Sequence, residues 1–243
     1  MKMVVEPISR VAAYGKRHGI RATFERAGLF VSRLFNSNRM VLFYLDFPVD
    51  ESSEDTDFPA CLPDDLSVEV KHSREEIAPE DWERMLNFWN PDLCARSYPE
   101  RFQQGASLWL IRSQGNLAGY GWTIVGRTLE PHYYPLGEND VHLFDFLVFP
   151  EYRGRNINPL LLDSILNDLA AQRRSRAYIE VREWNHPQLK SLAKTSFKLL
   201  GVARKATLFG ITFVQWTDAP VPIISKTARV SAKKQNQLRI FSR

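Results

Sequence analysis

The residues whose types and spacing suggest chemistry lie in one segment, Val141 to Ala170. Val141 to Phe149 is apolar throughout except for His142 and Asp145, as expected of a central strand buried on both faces. Pro150 ends it, Glu151-Tyr-Arg-Gly-Arg-Asn-Ile-Asn158 follows, and Pro159 opens a Leu-rich stretch. Pro suits the first position of a helix and Asn the cap before it, so the spacing predicts a helix over 159–171 capped by Asn158. A buried strand feeding a basic loop and then a helix N-terminus presents unpaired N–H groups beside the positive end of a helix dipole, a site suited to a pyrophosphate. Arg153 and Arg155 add positive charge there; a plain surface turn with two arginines is the competing reading. Asp145 is a candidate general base, because burial raises a carboxyl's pKa and makes it a better base. The alternative is an acid tied to a neighbouring arginine or N–H for structural reasons. His142 has the intrinsic pKa for the same task, although a histidine near a strand end commonly serves as a polar edge residue.

These residues need a sheet to hold them. Leu66–Lys71 alternates and reads as a strand, 78–89 and 91–104 as helices, and 107–112 and 117–125 as a hairpin around Ser113-Gln-Gly-Asn116. Gly119 and Gly121 within the second strand point to a bulge or a close backbone approach. A strand over 177–184, with Ala177, Ile179 and Val181 on one face, a helix over 187–200 and a strand over 202–214 complete the order. Ahead of this set, residues 6–36 read as basic, amphipathic, glycine-interrupted helices and 40–45 as a strand. Asp46 to Asp65 carries eight acids, three prolines and no basic residue, which is linker composition. The expected organisation is an N-terminal extension (1–45), an acidic linker (46–65), one domain (66–216) and a basic C-terminal tail (217–243).

The stretch Leu147-Val-Phe-Pro-Glu-Tyr-Arg-Gly-Arg-Asn-Ile-Asn-Pro-Leu-Leu-Leu162 resembles the coenzyme A-binding motif of the GNAT acetyltransferase superfamily. Ile179-Glu-Val-Arg182, Asn185, Lys194 and Phe197 fall at that family's spacing for its next strand and helix. The resemblance covers about 150 residues and implies an α/β (α+β) fold with a mixed central sheet of about six to seven strands flanked by helices, preceded here by the helical basic extension. It implies acetyl-CoA, or another acyl-CoA, as co-substrate and no metal. It implies a primary amine as acceptor, attacking the thioester directly without a covalent enzyme intermediate, the oxyanion stabilised by a backbone N–H. Leu147 and Val148 would offer backbone partners to pantetheine; Arg153, Gly154, Arg155, Asn156, Ile157 and Asn158 would form the pyrophosphate loop; Asn185 would be a polar residue on the cofactor side, or a plain helix cap. Glu180 reads as structural. The chain departs from the pattern in three places. The loop glycines fall on Asn156, which tolerates the left-handed turn, and on Asn158, whose side chain stands where the backbone should approach the phosphates. A tyrosine acid common in relatives falls on Leu192. These departures motivate an alternative, a catalytically weak coenzyme A- or partner-binding module. Trp122, His132, Tyr133 and Tyr134 could wall an acceptor pocket or pack the loop.

Composition narrows the partners. A net charge of +4 divides into +6 over residues 1–40, +6 over 226–243 and −8 between them. The acidic body tilts toward a cationic acceptor, whether amino sugar, amino acid, polyamine or protein terminus. The basic N-terminus suits an anionic membrane surface; no aromatic–basic interleaving of a nucleic-acid module is present. No apolar run reaches the roughly 18–20 residues of a membrane span or the h-region of a secretory signal, so the cytoplasm, with peripheral membrane contact, is the expected compartment. Cys61 and Cys94 sit in no metal-ligand or redox spacing.

Overall fold

The computed structural model describes residues 39–48, 62–133, 135–208, 211–218 and 227–231. The basic amphipathic segment, most of the acidic linker, Tyr134 and most of the basic tail lie outside them. In chain order the elements are β1 (Arg39–Asp46), β2 (Leu66–Lys71), α1 (Pro79–Phe88), α2 (Pro91–Gln103), β3 (Ser107–Ser113), β4 (Asn116–Val125), β5 (Asp140–Val148), α3 (Ile157–Ala171), β6 (Arg176–Arg182), α4 (His186–Leu192), β7 (Lys198–Leu208), β8 (Ile211–Asp218) and β9 (Thr227–Ser231). They build one mixed sheet of nine strands in the order β2-β3-β4-β5-β6-β1-β7-β8-β9, wider than the expected six or seven. No helix among the described residues is long and apolar enough to cross a membrane.

Among these pairs β5–β6 alone is parallel, and a parallel pair needs a long crossover, which α3 supplies. Strand alternation sends β-face residues to two cores. Val141 and Leu143 of β5, Ile179 and Val181 of β6 and Leu45 of β1 pack on Leu161, Leu162, Ile165 and Leu166 of α3. On the other face Leu108, Leu110, Tyr120 and Trp122 pack on Trp82 and Met85 of α1 and Tyr98 of α2. A third cluster joins Leu42, Tyr133, Tyr178, Ala203, Val214 and Trp216.

β1 is not peripheral. It lies between β6 and β7, antiparallel to both, and a charge pair stands at each end: Arg39 with Glu183 at 3.1 Å and Asp46 with Arg176. The chain therefore leaves the middle of the sheet at Asp46 and re-enters at edge strand β2.

Three expectations are corrected. The helix expected over 187–200 ends at Leu192, because Lys198 and Leu199 pair with β1 as part of β7. The strand expected over 202–214 is two strands, β7 and β8, paired antiparallel. Helix α3 starts at Ile157 with Asn156, not Asn158, at its cap position, so Pro159 is its third residue.

Asp163 lies on α3 with 9% of its surface exposed, and burial pushes its carboxyl up to about 6. A carboxyl raised on folding favours the protonated native state, so its penalty is absent below the unfolded value of about 3.9 and grows until pH passes 6. Asp163→Asn is therefore expected to raise Tm at pH 8 and to leave it nearly unchanged at pH 4, as thermal unfolding across pH will show; an equal change at both ends would mean that ionisation of Asp163 is not the cause.

Candidate active site

The site begins where β5 and β6 part. Their parallel pairing runs from Asp140↔Arg176 to Leu143↔Ile179 and stops. Beyond it Phe144, Asp145 and Phe146 face Glu180, Val181 and Arg182 across a cleft of about 1040 Å³. The parting has a local cause. Asp145 takes φ 54°, a left-handed conformation that Asp tolerates better than most residues, and the β4–β5 register shifts between Tyr120 and Trp122. The skipped residue is Gly121, where a Cβ would stand 2.3 Å from the Phe146 ring; at Gly119 a Cβ would stand 2.5 Å from the Leu147 carbonyl oxygen. The two glycines thus admit a bulge that turns β5 away from β6, as their place in the sequence suggested.

Asp145 reaches the cleft from this bulge. Its side chain is 56% exposed, and Oδ2 accepts from Arg101 Nη2 at 2.6 Å. The burial expected to strengthen it as a base is absent, since the bulge carries the side chain out of the strand's buried faces. Arg101 of α2 is 15% exposed, and its guanidinium lies over the rings of Tyr98, Trp122 and Phe144 at 4.7, 5.1 and 5.4 Å. Trp122 itself is fully buried and sits under Phe144 rather than in the cleft wall. Tyr133, Trp89, Met40 and Phe213 do line the cleft.

His142 is buried behind the wall. Its Nε2 lies 2.7 Å from Oε2 of Glu180, and Nε2 of His132 lies 3.7 Å from the same oxygen. Burial works to raise the pKa of Glu180, but the charge and hydrogen bond of His142 outweigh it and hold the carboxyl below the usual range. Burial drives His132 down to about 3, leaving its imidazole neutral at pH 7. Glu180 also lines the cleft, a role that sequence reading missed. His132, His142 and Glu180 come from a loop and two strands, and no spacing links them.

The basic loop follows the end of β5. The carbonyl of Val148 accepts from Arg153 Nε at 3.2 Å, while the N–H of Phe149 is given to Ala118 in β4. Since neighbouring residues in a strand point their polar groups to opposite sides, Val148 faces the opened edge and Leu147 faces β4. Gly154 and Asn156 take the left-handed turns, φ 81° and 57°. Asn156 accepts from Lys194 Nζ at 2.7 Å, which brings a third cation beside Arg153 and Arg155. Asn158 is buried, and its amide donates to Ser191 Oγ at 2.8 Å and lies 3.5 Å from Gln188 Oε1, so its side chain is committed to α4. Asn185 both lines the cleft and caps α4, accepting from the N–H of Gln188 at 3.4 Å. Ile157 and Leu192 are core residues, so Leu192 places no proton donor on the last helix.

No curated protein matches the sequence. Among solved structures the chain is similar to a GNAT-family acetyltransferase from Novosphingobium aromaticivorans, with 14% identity over 68% of this chain and 61% of that one and a TM-score of 0.42. It is similar to a GNAT-family acetyltransferase from Colwellia psychrerythraea, with 12% identity, 76% and 57% coverage and a TM-score of 0.47. It is also similar to the IAA acetyltransferase of Bacillus cereus, with 16% identity, 60% and 79% coverage and a TM-score of 0.40. The chain spans 61% and 57% of the first two proteins' own lengths. The family model for the acetyltransferase (GNAT) family matches residues 73–197, from the turn before α1 through Phe197. That is just over half of the sequence, and the chain belongs to this family.

Proposed function

We propose that the chain is an acyl-CoA-dependent N-acyltransferase that moves an acetyl or similarly short acyl group to a primary amine. The observation that supports this most is the cleft opened by the β5 bulge, with a basic turn and helix N-terminus at the end of the same strand. The residues present fit an acyl-CoA. The first N–H groups of a helix lack intrahelical partners, Gly154 leaves open space where a Cβ would stand, three cations surround the turn, and the Asn158 amide is turned to α4. Arg153, Gly154, Arg155, Asn156, Ile157 and the backbone of Asn158 would hold the pyrophosphate. Val148 would pair with the pantetheine arm along the opened edge, and Asn185 would border it. The thioester supplies an acyl carbon activated toward amines.

The acceptor would enter the cleft that Trp89, Tyr133 and Phe213 line, with Asp145 and Glu130, paired to Arg101 and Lys205, in the same lining. Asp145 takes the proton from the amine, directly or through one water, while Arg101 fixes the direction of its carboxylate. The contribution of Asp145 rests on orientation and on holding a cationic acceptor close.

Release of free thiol from acetyl-CoA, followed across a panel of primary amines, tests the reading. Amine-dependent release is expected. Bound acetyl-CoA with no release for any amine would replace it with the binding-module reading that buried Leu192 favours.

A further inference from the structure

We infer that His132, His142 and Glu180 form a seat for one divalent transition-metal ion, with zinc the natural probe, at the floor of the cleft. The nitrogen and oxygen donors of the three residues all lie within 4.8 Å of one another. His132 is 3% and His142 6% exposed, and the carboxylate of Glu180 is buried beside them. Two imidazoles and one carboxylate are a donor set that Zn²⁺ and related ions take, with bonds of about 2.0–2.2 Å and donor atoms about 3.3 Å apart in a tetrahedron. The 3.7 Å and 2.7 Å separations from Glu180 Oε2 to the two Nε2 atoms bracket that value. An ion would open one of these contacts and close the other by about half an ångström, and would draw the two imidazoles together from a separation of up to 4.8 Å.

Lys205 lines the same cleft, and its ammonium is turned to the Pro131 carbonyl at 3.1 Å and to Glu130 at 3.6 Å, over the Tyr133 ring, rather than to Glu180. Among the described residues the Nδ1 of His142 has no hydrogen-bond partner, and its ring is held by stacking on Phe144 at 5.2 Å. Three protein donors leave a fourth position of a tetrahedral ion unfilled, and Glu180 is the member of the triad that also lines the cleft. An ion there would take an oxygen or nitrogen of the acceptor as ligand.

The test uses the full chain prepared without a histidine tag, stripped by chelator and titrated with Zn²⁺ in a calorimeter, with Co²⁺ as a spectroscopic probe. One ion per chain, visible bands of a low-coordinate Co²⁺ site, and loss of about 100-fold or more in affinity in His132→Ala and Glu180→Gln are expected. Lys205→Met, which leaves the triad intact, is expected to bind Zn²⁺ more tightly because a repelling charge is gone. Folded wild-type protein that takes up no Zn²⁺ would overturn the inference. So would Zn²⁺ binding that His132→Ala and Lys205→Met leave unchanged.

Discussion

Asp145→Asn is expected to lower kcat about 100-fold, the usual scale for loss of a positioned general base, with little change in the KM for acetyl-CoA. The variant keeps the shape of the side chain and its left-handed backbone, which Asn also tolerates. Stability should fall by no more than about 1 kcal/mol, because the Asp145 side chain is mostly exposed and the Asn amide oxygen can still accept from Arg101. The same variant should flatten the acidic limb of the kcat–pH profile. A merely structural pairing with Arg101 would give the opposite pattern, an unchanged rate and profile with a lower Tm. Steady-state kinetics across pH, read beside thermal unfolding, separates the two.

Trp122→Ala is expected to destabilise the chain by about 3–5 kcal/mol, the range for removing a large buried aromatic. Trp122 is fully buried and touches the rings of Tyr98 at 5.4 Å, Phe102 at 5.0 Å and Phe144 at 6.3 Å. It also forms part of the aromatic surface on which the Arg101 guanidinium rests, so its loss should loosen Asp145 too. Its Nε1–H has no partner among the described residues, and Trp122→Phe should therefore cost much less than the alanine variant. Urea unfolding of both variants measures this; a cost below about 1 kcal/mol for the alanine variant would mean that the second core collapses around the gap.

Much of this architecture is legible in the residues. The apolar run of β5, the strand of Ala177, Ile179 and Val181, and the amphipathic α1 and α2 follow from periodicity, and the structure places them as read. The two glycines of β4 point to a close approach, and it is there. What periodicity could not supply is register and long-range pairing. The strand at 40–45 is visible as a strand, but nothing local says that it enters the sheet between β6 and β7. That choice depends on ladders to β6 and β7 and on burial of Leu42 and Leu45, with partners more than 100 residues away. The helix after Asn185 reads too long because Phe197 and Leu200 continue an apolar spacing that tertiary pairing with β1 overrides.

The site shows the same division. The loop residues are legible because they are contiguous, and Asn156 keeps the left-handed turn that its type allows. The start of α3 is misread because Asn158-Pro159 imitates a cap while the turn closes two residues earlier. Asp145 stands out as an acid in an apolar run, yet its exposure arises from a bulge whose register only the paired strand reveals. The role of Glu180 is hidden because its partners are 38 and 48 residues upstream. A buried carboxylate is defined by what surrounds it, and the surroundings come from the fold.

The central claim is that the turn from Arg153 to Asn158 binds the pyrophosphate of an acyl-CoA. Calorimetric titration of the chain with acetyl-CoA and with coenzyme A tests it most directly, alongside the double variant Arg153→Ala, Arg155→Ala. The account predicts binding of both ligands by the wild type and a loss of about tenfold or more in the variant, as two charge-assisted contacts are removed. No binding by folded wild-type protein, or equal binding by the variant, would contradict it.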